Sequence, residues 1–191
     1  MEIQDAIEQR RSIRKYQDRP VSEEDVRALL RAATLAPSGK NRQPWRFVVV
    51  QGDEKRAQMV NLMRQGIERR VAQGANPGSS HWTAGIMERA PVTIFVLDGE
   101  DTIDGEERSP GDLMDIVDTQ SIGAAIQNML LAALDRGLGT LWICDVFYAT
   151  EELCEWLGDN HLMIAAVSVG YPDEAPAPRP RMSVDEVTRW L

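Results

Sequence analysis

Histidine and cysteine are scarce in this chain: two of each, His81, His161, Cys144 and Cys154, in 191 residues. Zinc and haem sites draw on those residue types, so such centres are poorly supplied, and no metal site is expected. The spacing of the two cysteines matches no common metal or redox motif; they read as reduced structural thiols. No apolar run reaches the length of a membrane span. The longest, Met163 to Val169, has the length of a strand and contains Ser168. The start, Met1-Glu2-Ile3-Gln4-Asp5, lacks the basic residues and apolar run of a signal peptide, so a cytoplasmic location is expected. Basic side chains are outnumbered, 21 against 30 acidic, for a net charge of -9. That balance repels nucleic acid and anionic lipid, so neither nucleic acid nor membrane is an expected partner. No catalytic triad and no clear pair of catalytic carboxylates stand out either.

What is present is enough apolar material for a core. Hydrophobic residues make up 43% and charged residues 27%, which suits one ordinary domain over residues 1–191. Ile3, Ala6 and Ile7 recur at helical spacing, so residues 2–10 read as a short helix. Ser22 opens a second, with Asp25 at capping-box spacing and Glu23 and Glu24 at the positive end of its dipole; it ends before Pro37. Phe47–Val50 and Val92–Leu97 read as buried strands, with a helix from Asp53 to about Gln73 between them. Gly74–Ser80 is loop by composition. Asp98–Asp112 is acidic and turn-rich, and reads as a mobile surface loop. Asp115–Asp135 is the longest helix, apolar round much of its surface and so buried on most sides. Leu141–Ile143 and Met163–Val169 are further strands, flanking a helix capped by Thr150 and ending at Leu157. Residues 172–180 hold four prolines and form an extended arm, followed by a short helix with a Ser183–Glu186 capping box that is expected to end at Leu191. The order is a mixed α/β layout without internal repeats.

Four segments could carry chemistry. Arg10-Arg11-Ser12-Ile13-Arg14-Lys15 places cations beside a hydroxyl in an acidic chain, and arginine forks match phosphate oxygens. Ala36-Pro37-Ser38-Gly39-Lys40-Asn41-Arg42-Gln43-Pro44-Trp45 joins a helix to a strand and could offer backbone groups and amides to a polar ring edge. Gly137-Leu138-Gly139-Thr140-Leu141-Trp142-Ile143 is a tight helix-to-strand turn without dinucleotide-fingerprint spacing. Arg179 and Arg181 follow the proline arm and could complete an anion site begun by Arg10 and Arg11. Taken singly, each is read more economically as a solvated charge run or an ordinary turn.

Together, in this order, the segments resemble the nitroreductase family. Arg10–Arg14 looks like its flavin-phosphate motif, and Ala36–Gly39 through Gln43-Pro44-Trp45 like its second motif. Asp118 through Gln127-Asn128 to Gly139 is similar to its central dimer helix and following strand. Gly170-Tyr171-Pro172 with Arg179 and Arg181 resembles its C-terminal signature.

The resemblance implies an α+β fold: a mainly antiparallel sheet flanked by helices, in an intertwined homodimer with a C-terminal arm at 172–191. It implies tightly bound FMN. Arg10, Arg11, Ser12 and Arg14 would hold its phosphate, helped by Arg179 or Arg181. Ser38, Gly39 and Asn41 would reach the same flavin from the other subunit, with Pro37 framing their loop. Leu141, Trp142 and Ile143 would line the isoalloxazine ring, partly through backbone groups. The implied activity passes electrons from NADH or NADPH to a small electrophilic acceptor, a nitroaromatic or quinone, by a ping-pong scheme in which flavin N5 carries the hydride and no side chain is catalytic. Dehalogenation, dehydrogenation or flavin fragmentation on the same fold stay open, as does a flavin-binding sensor without turnover.

Overall fold

Val92–Leu97 is apolar apart from Thr93 and shows no polar alternation, and such a strand must be covered on both faces. In the computed structural model, described over residues 2–102 and 113–191, all six of these residues are buried. Their strand, β2 (Val92–Thr102), lies inside a four-stranded sheet with β1 (Trp45–Gln51), β3 (Gly139–Ile143) and β4 (His161–Gly170). The order is β1-β2-β4-β3, and every pair is antiparallel.

The helices are α1 (Ile3–Gln9), α2 (Glu23–Thr34), α3 (Asp53–Ala72), α4 (Ser80–Arg89), α5 (Leu113–Asp135), α6 (Thr150–Leu157) and α7 (Val184–Val187). One sheet face packs Phe95 and Ala166 against Met59, Met63 and Ile67 of α3, Met87 of α4 and Leu153 of α6. The other packs Ile94 and Val167 against Leu29 of α2 and Ile122, Ile126 and Met129 of α5. Each of the Val, Leu, Ile, Phe and Met side chains among these contributes about 1.5–3 kcal/mol when fully buried. This is the expected mixed fold of helices round an antiparallel sheet. No described helix is long and apolar enough to cross a membrane.

Several boundaries differ from expectation. The helix α4 went unread, and the strand β2 continues through Asp98–Thr102, where a loop was expected. Gly99 donates its N–H to the Pro44 carbonyl at 2.7 Å, and the register with β4 shifts there, so tertiary pairing extends a turn-rich stretch. The rest of that expected mobile loop, residues 103–112, lies outside the described residues. Thr150 is the first residue of α6 rather than its cap, its hydroxyl donating to the Phe147 carbonyl. Ser22 accepts the Asp25 N–H, but the Asp25 carboxylate takes the Ser22 hydroxyl, so the box is half made. The Ser183–Glu186 box is complete, although its helix ends at Val187.

Within a single copy, α5 is covered on one face. Asp118, Ser121, Ile122, Ala125, Ile126, Met129, Leu130 and Ala133 are buried. Leu113 and Ile116 are exposed and Leu131 and Leu134 partly buried, an apolar stripe at helical spacing interrupted by Gln120 and Gln127. In α1, Ala6 is buried but Ile3 and Ile7 are exposed.

Candidate functional site

The two ends of the chain are stitched together. Ile13 donates its N–H to the Thr140 carbonyl at 2.9 Å, laying the N-terminal segment beside β3. Beyond it, Gln17 N–H meets the Tyr171 carbonyl and Asp173 N–H meets the Lys15 carbonyl, each at 2.9 Å. One oxygen of Glu174 accepts the N–H groups of both Arg14 and Lys15. Arg19 lies over the Tyr171 ring, 3.6 Å from its centre. The proline arm therefore runs back along the N-terminal segment and delivers Arg179 and Arg181 to Arg10.

The result is a cleft of about 380 Å³ lined by Glu8, Arg10, Arg11, Ser12, Arg14, Arg179 and Arg181, with Ile7 and residues 176–178. Among the described residues its lining holds five arginines and one carboxylate. Burial holds the Arg10 guanidinium below its ordinary value, and the nearby charges of Arg181 and Arg11 push the same way. Guanidiniums that repel one another mark a surplus of positive charge, which an anion relieves. Part of the donor set is already used. Arg11 Nη1 caps the end of α1 through the Glu8 carbonyl at 2.7 Å, and Arg14 Nη1 donates to the Ser12 carbonyl at 3.0 Å. Arg14 also lies over Trp82 of α4, 5.5 Å from the ring centre. Arg181 Nη1 meets the Pro180 carbonyl at 3.1 Å. Each fork has five N–H groups, so donors remain.

Beside this cleft lies the edge of β3 away from β4. Thr140 turns its carbonyl outward to Ile13, so strand alternation turns the N–H and C=O of Trp142 outward as well. Leu141 and Ile143 turn theirs to β4, and their side chains are buried in the core. Of the three residues expected to line a ring, Trp142 is the one placed at the edge, 38% exposed and packed over Gly123 of α5.

Pro37, Ser38, Gly39 and Asn41 are elsewhere. None of them lines the arginine cleft. They form the loop after α2, with a single 3₁₀ turn at Gly39–Asn41, against α5. Gly39 N–H donates to the Ser121 hydroxyl at 3.2 Å, and Gln43 N–H to the Ser38 hydroxyl at 3.1 Å. Arg42 forks onto Asp118 of α5.

Sequence reasoning missed Trp82 under Arg14 and Glu174 on the Arg14 and Lys15 amides, and it read Asp118 only as part of the dimer-helix motif, not as the partner of Arg42. A Thr83, Ala84, Ile86 and Met87 stripe was the available signal for α4, and so for Trp82. The other two pairings span the chain and leave no local signal.

Comparison with known proteins identifies the family and the fold. The model of the nitroreductase family matches residues 7–171. A protein of Archaeoglobus fulgidus named as an NADH dehydrogenase/NAD(P)H nitroreductase is 34% identical over 171 residues, covering 86% of this chain and 82% of the relative. Iodotyrosine deiodinase of Thermotoga neapolitana is 24% identical, with 97% and 95% covered. A crystal structure described as a nitroreductase in complex with FMN, from Desulfovibrio desulfuricans, superposes with a TM-score of 0.77 at 29% identity, covering 100% of this chain and 97% of that one.

Proposed function

This chain belongs to the nitroreductase family, and from that premise we propose that it is an FMN-dependent oxidoreductase passing electrons from NADH or NADPH to a small electrophilic acceptor, a nitroaromatic or quinone, by a ping-pong scheme. The observation that carries the reading is the convergence of Arg10, Arg11, Arg14, Arg179 and Arg181 on one cleft beside the outward-facing backbone of Trp142. A dianionic phosphate suits the surplus charge, and a flat ring with polar edges suits a strand edge. FMN, when bound, supplies the centre that accepts and returns hydride.

This chain's residues bind and orient. Arg10, Arg11, Arg179 and Arg181 hold the phosphate by charge-assisted bonds, with the Ser12 hydroxyl as a neutral donor. Trp82 and Glu174 fix Arg14 from its side chain and its amide. The outward Trp142 N–H would meet a ring heteroatom, and its indole would limit what enters beside it.

We propose further that the molecule is a homodimer. The uncovered stripe of α5 and the exposed Ile3 and Ile7 support a second copy, as do the outward apolar residues of the arm, Val184, Val187 and Trp190. In that dimer Pro37, Ser38, Gly39 and Asn41 come to the flavin from the second copy, which accounts for their absence from the cleft.

The direct test is anaerobic. Purified protein loaded with FMN bleaches under NADH or NADPH and recolours on adding a nitroaromatic or a quinone. Failure to bleach with either nucleotide contradicts the reading. The deiodinase relative favours a second reading, reductive dehalogenation on the same fold. Poor reduction by both nucleotides with full reduction by dithionite, and turnover of a halogenated phenol, supports that instead.

A further inference from the structure

The loop carrying Ser38, Gly39 and Asn41 is strained. Lys40, Asn41 and Gln43 take left-handed φ angles of 52°, 57° and 52°. Such a conformation is unfavourable for an ordinary side chain, less so for asparagine. Left to itself, the segment relaxes to right-handed or extended backbone. Strain of this kind persists where surrounding structure over-determines it.

The restraint comes from one face of α5. Arg42 donates from Nε to Asp118 Oδ1 at 3.2 Å and from Nη2 to Asp118 Oδ2 at 3.1 Å. The same Nη2 meets Glu100 of β2 at 3.1 Å. The Asp118 side chain is 0% exposed, that of Arg42 28%. Any relaxation that withdraws Arg42 leaves a buried carboxylate uncompensated, which is strongly unfavourable. One turn away, Ser121 donates to the Val117 carbonyl and accepts the Gly39 N–H. Val117 closes the remaining space: a Cβ on Gly39 would lie 2.2 Å from its Cγ1. The loop is thus gripped at Gly39 and at Arg42, on either side of Lys40 and Asn41.

A buried ion pair is a poor device for stability alone, because apolar replacements often serve as well. Its directional fork does what an apolar contact cannot, fixing the loop in one unfavourable shape. We propose that Asp118 and Arg42 are positioning residues: a latch that holds the Ser38–Asn41 loop in the conformation that contacts flavin. The proposal rests on the reading that this loop contacts FMN. Neither residue touches the cofactor; both act through the loop.

The test compares full-length variants by fluorescence titration with FMN, the visible spectrum of bound FMN, far-UV circular dichroism and light scattering. Asp118→Asn removes the charge and keeps the shape. It is expected to weaken FMN at least tenfold and to shift the visible band, with wild-type dichroism and mass. Arg42→Lys, which keeps the charge but loses the fork, is expected to fall between. Glu88→Gln, which breaks the surface pair to Arg64, is expected to leave FMN affinity unchanged. If Asp118→Asn binds FMN within twofold of wild type with the same spectrum, while Arg10→Ala weakens binding, the latch is wrong and the flavin reading stands. If the wild-type chain binds no FMN, the reading beneath it falls too. Should Asp118→Asn fail to fold, Ser121→Ala decides. It removes the grip on Gly39 and leaves the ion pair. A threefold or greater loss of FMN affinity supports the latch, and an unchanged affinity overturns it.

Discussion

Ile13 donates its backbone N–H to the Thr140 carbonyl at 2.9 Å, and that bond joins the two halves of the proposed site. On one side of it stand Ser12 and the arginines. On the other, two residues along β3, Trp142 turns its backbone outward. The arm then returns along the same segment, so charges from both ends of the chain reach one place.

Replacing Arg10 and Arg181 together by alanine removes two charge-assisted partners of the phosphate. Each is worth roughly 1.5–3 kcal/mol, so FMN should weaken by about 3 kcal/mol or more, over a hundredfold in Kd. The FMN-free protein should not lose thermal stability, since the variant removes a guanidinium held down first by burial and then by repulsion from Arg181 and Arg11. Fluorescence titration and thermal unfolding check both halves. An unchanged Kd would show the phosphate assignment to be wrong.

Two helix glycines should respond oppositely to alanine. A Cβ on Gly66 of α3 would lie 2.4 Å from Ala149 Cβ and 2.8 Å from the Tyr148 carbonyl, where the backbones meet closely. Gly66→Ala should therefore destabilise by about 1–3 kcal/mol, outweighing the gain of about 1 kcal/mol in helix propensity. Gly85 of α4 has nothing within 4 Å of its added Cβ, so Gly85→Ala should stabilise by about 0.5–1 kcal/mol. Urea denaturation measures both, and equal effects at the two sites would contradict the packing described.

Alkaline pH should erode stability through Cys154. Burial, with Asp159 nearby, raises its thiol from 9.0 to about 11. The unfolded chain then releases this proton first. The stabilisation is complete below pH 9 and is lost as pH rises through 11. Tyr16, also raised by burial, acts in the same direction. Urea unfolding from pH 8 to 11 should show a falling stability, with a shallower fall in Cys154→Ala. Identical slopes would remove Cys154 from the account.

Ile116→Asp probes the proposed dimer. The residue is 48% exposed in a single copy, so the charge costs that copy little. In a dimer sealed by α5 it is buried without a partner, which is costly. Light scattering should report a monomer, and FMN binding should fall with it. A dimer of wild-type affinity would place the interface elsewhere.

Most of the fold is legible where the pattern is local. Val92–Leu97 reads as a doubly covered strand because it has no polar face, and the Ser183–Glu186 box forms as its spacing dictates. The helix α4 went unread because loop-like residues 74–80 run straight into it, and no side chain caps its start. Asp98–Thr102 looks like a turn by composition, but the bonds that make it strand come from Pro44 and β4. The arginines of the cleft stand out as charges in an acidic chain. What holds them does not: Glu174 reaches Arg14 and Asp118 reaches Arg42 across long stretches of chain, and side-chain pairing at that separation leaves no periodic trace. The sequence of α5 is apolar on more of its surface than one chain covers, which the resemblance attributes to a dimer; the polar Asp118 and Ser121 on its buried face carry no such signal.

The central claim is that each flavin is held by the arginine cleft of one copy and the Ser38–Asn41 loop of the other. Co-expression of two differently tagged chains tests it, one carrying Arg10→Ala with Arg181→Ala, the other Asn41→Ala with Ser38→Ala. Tandem purification isolates mixed dimers, and fluorescence titration counts their high-affinity FMN sites. The account predicts that each parent dimer has none and the mixed dimer regains one, built from the intact cleft of one chain and the intact loop of the other. A mixed dimer with no high-affinity site would mean that cleft and loop act within a single chain, and would contradict it.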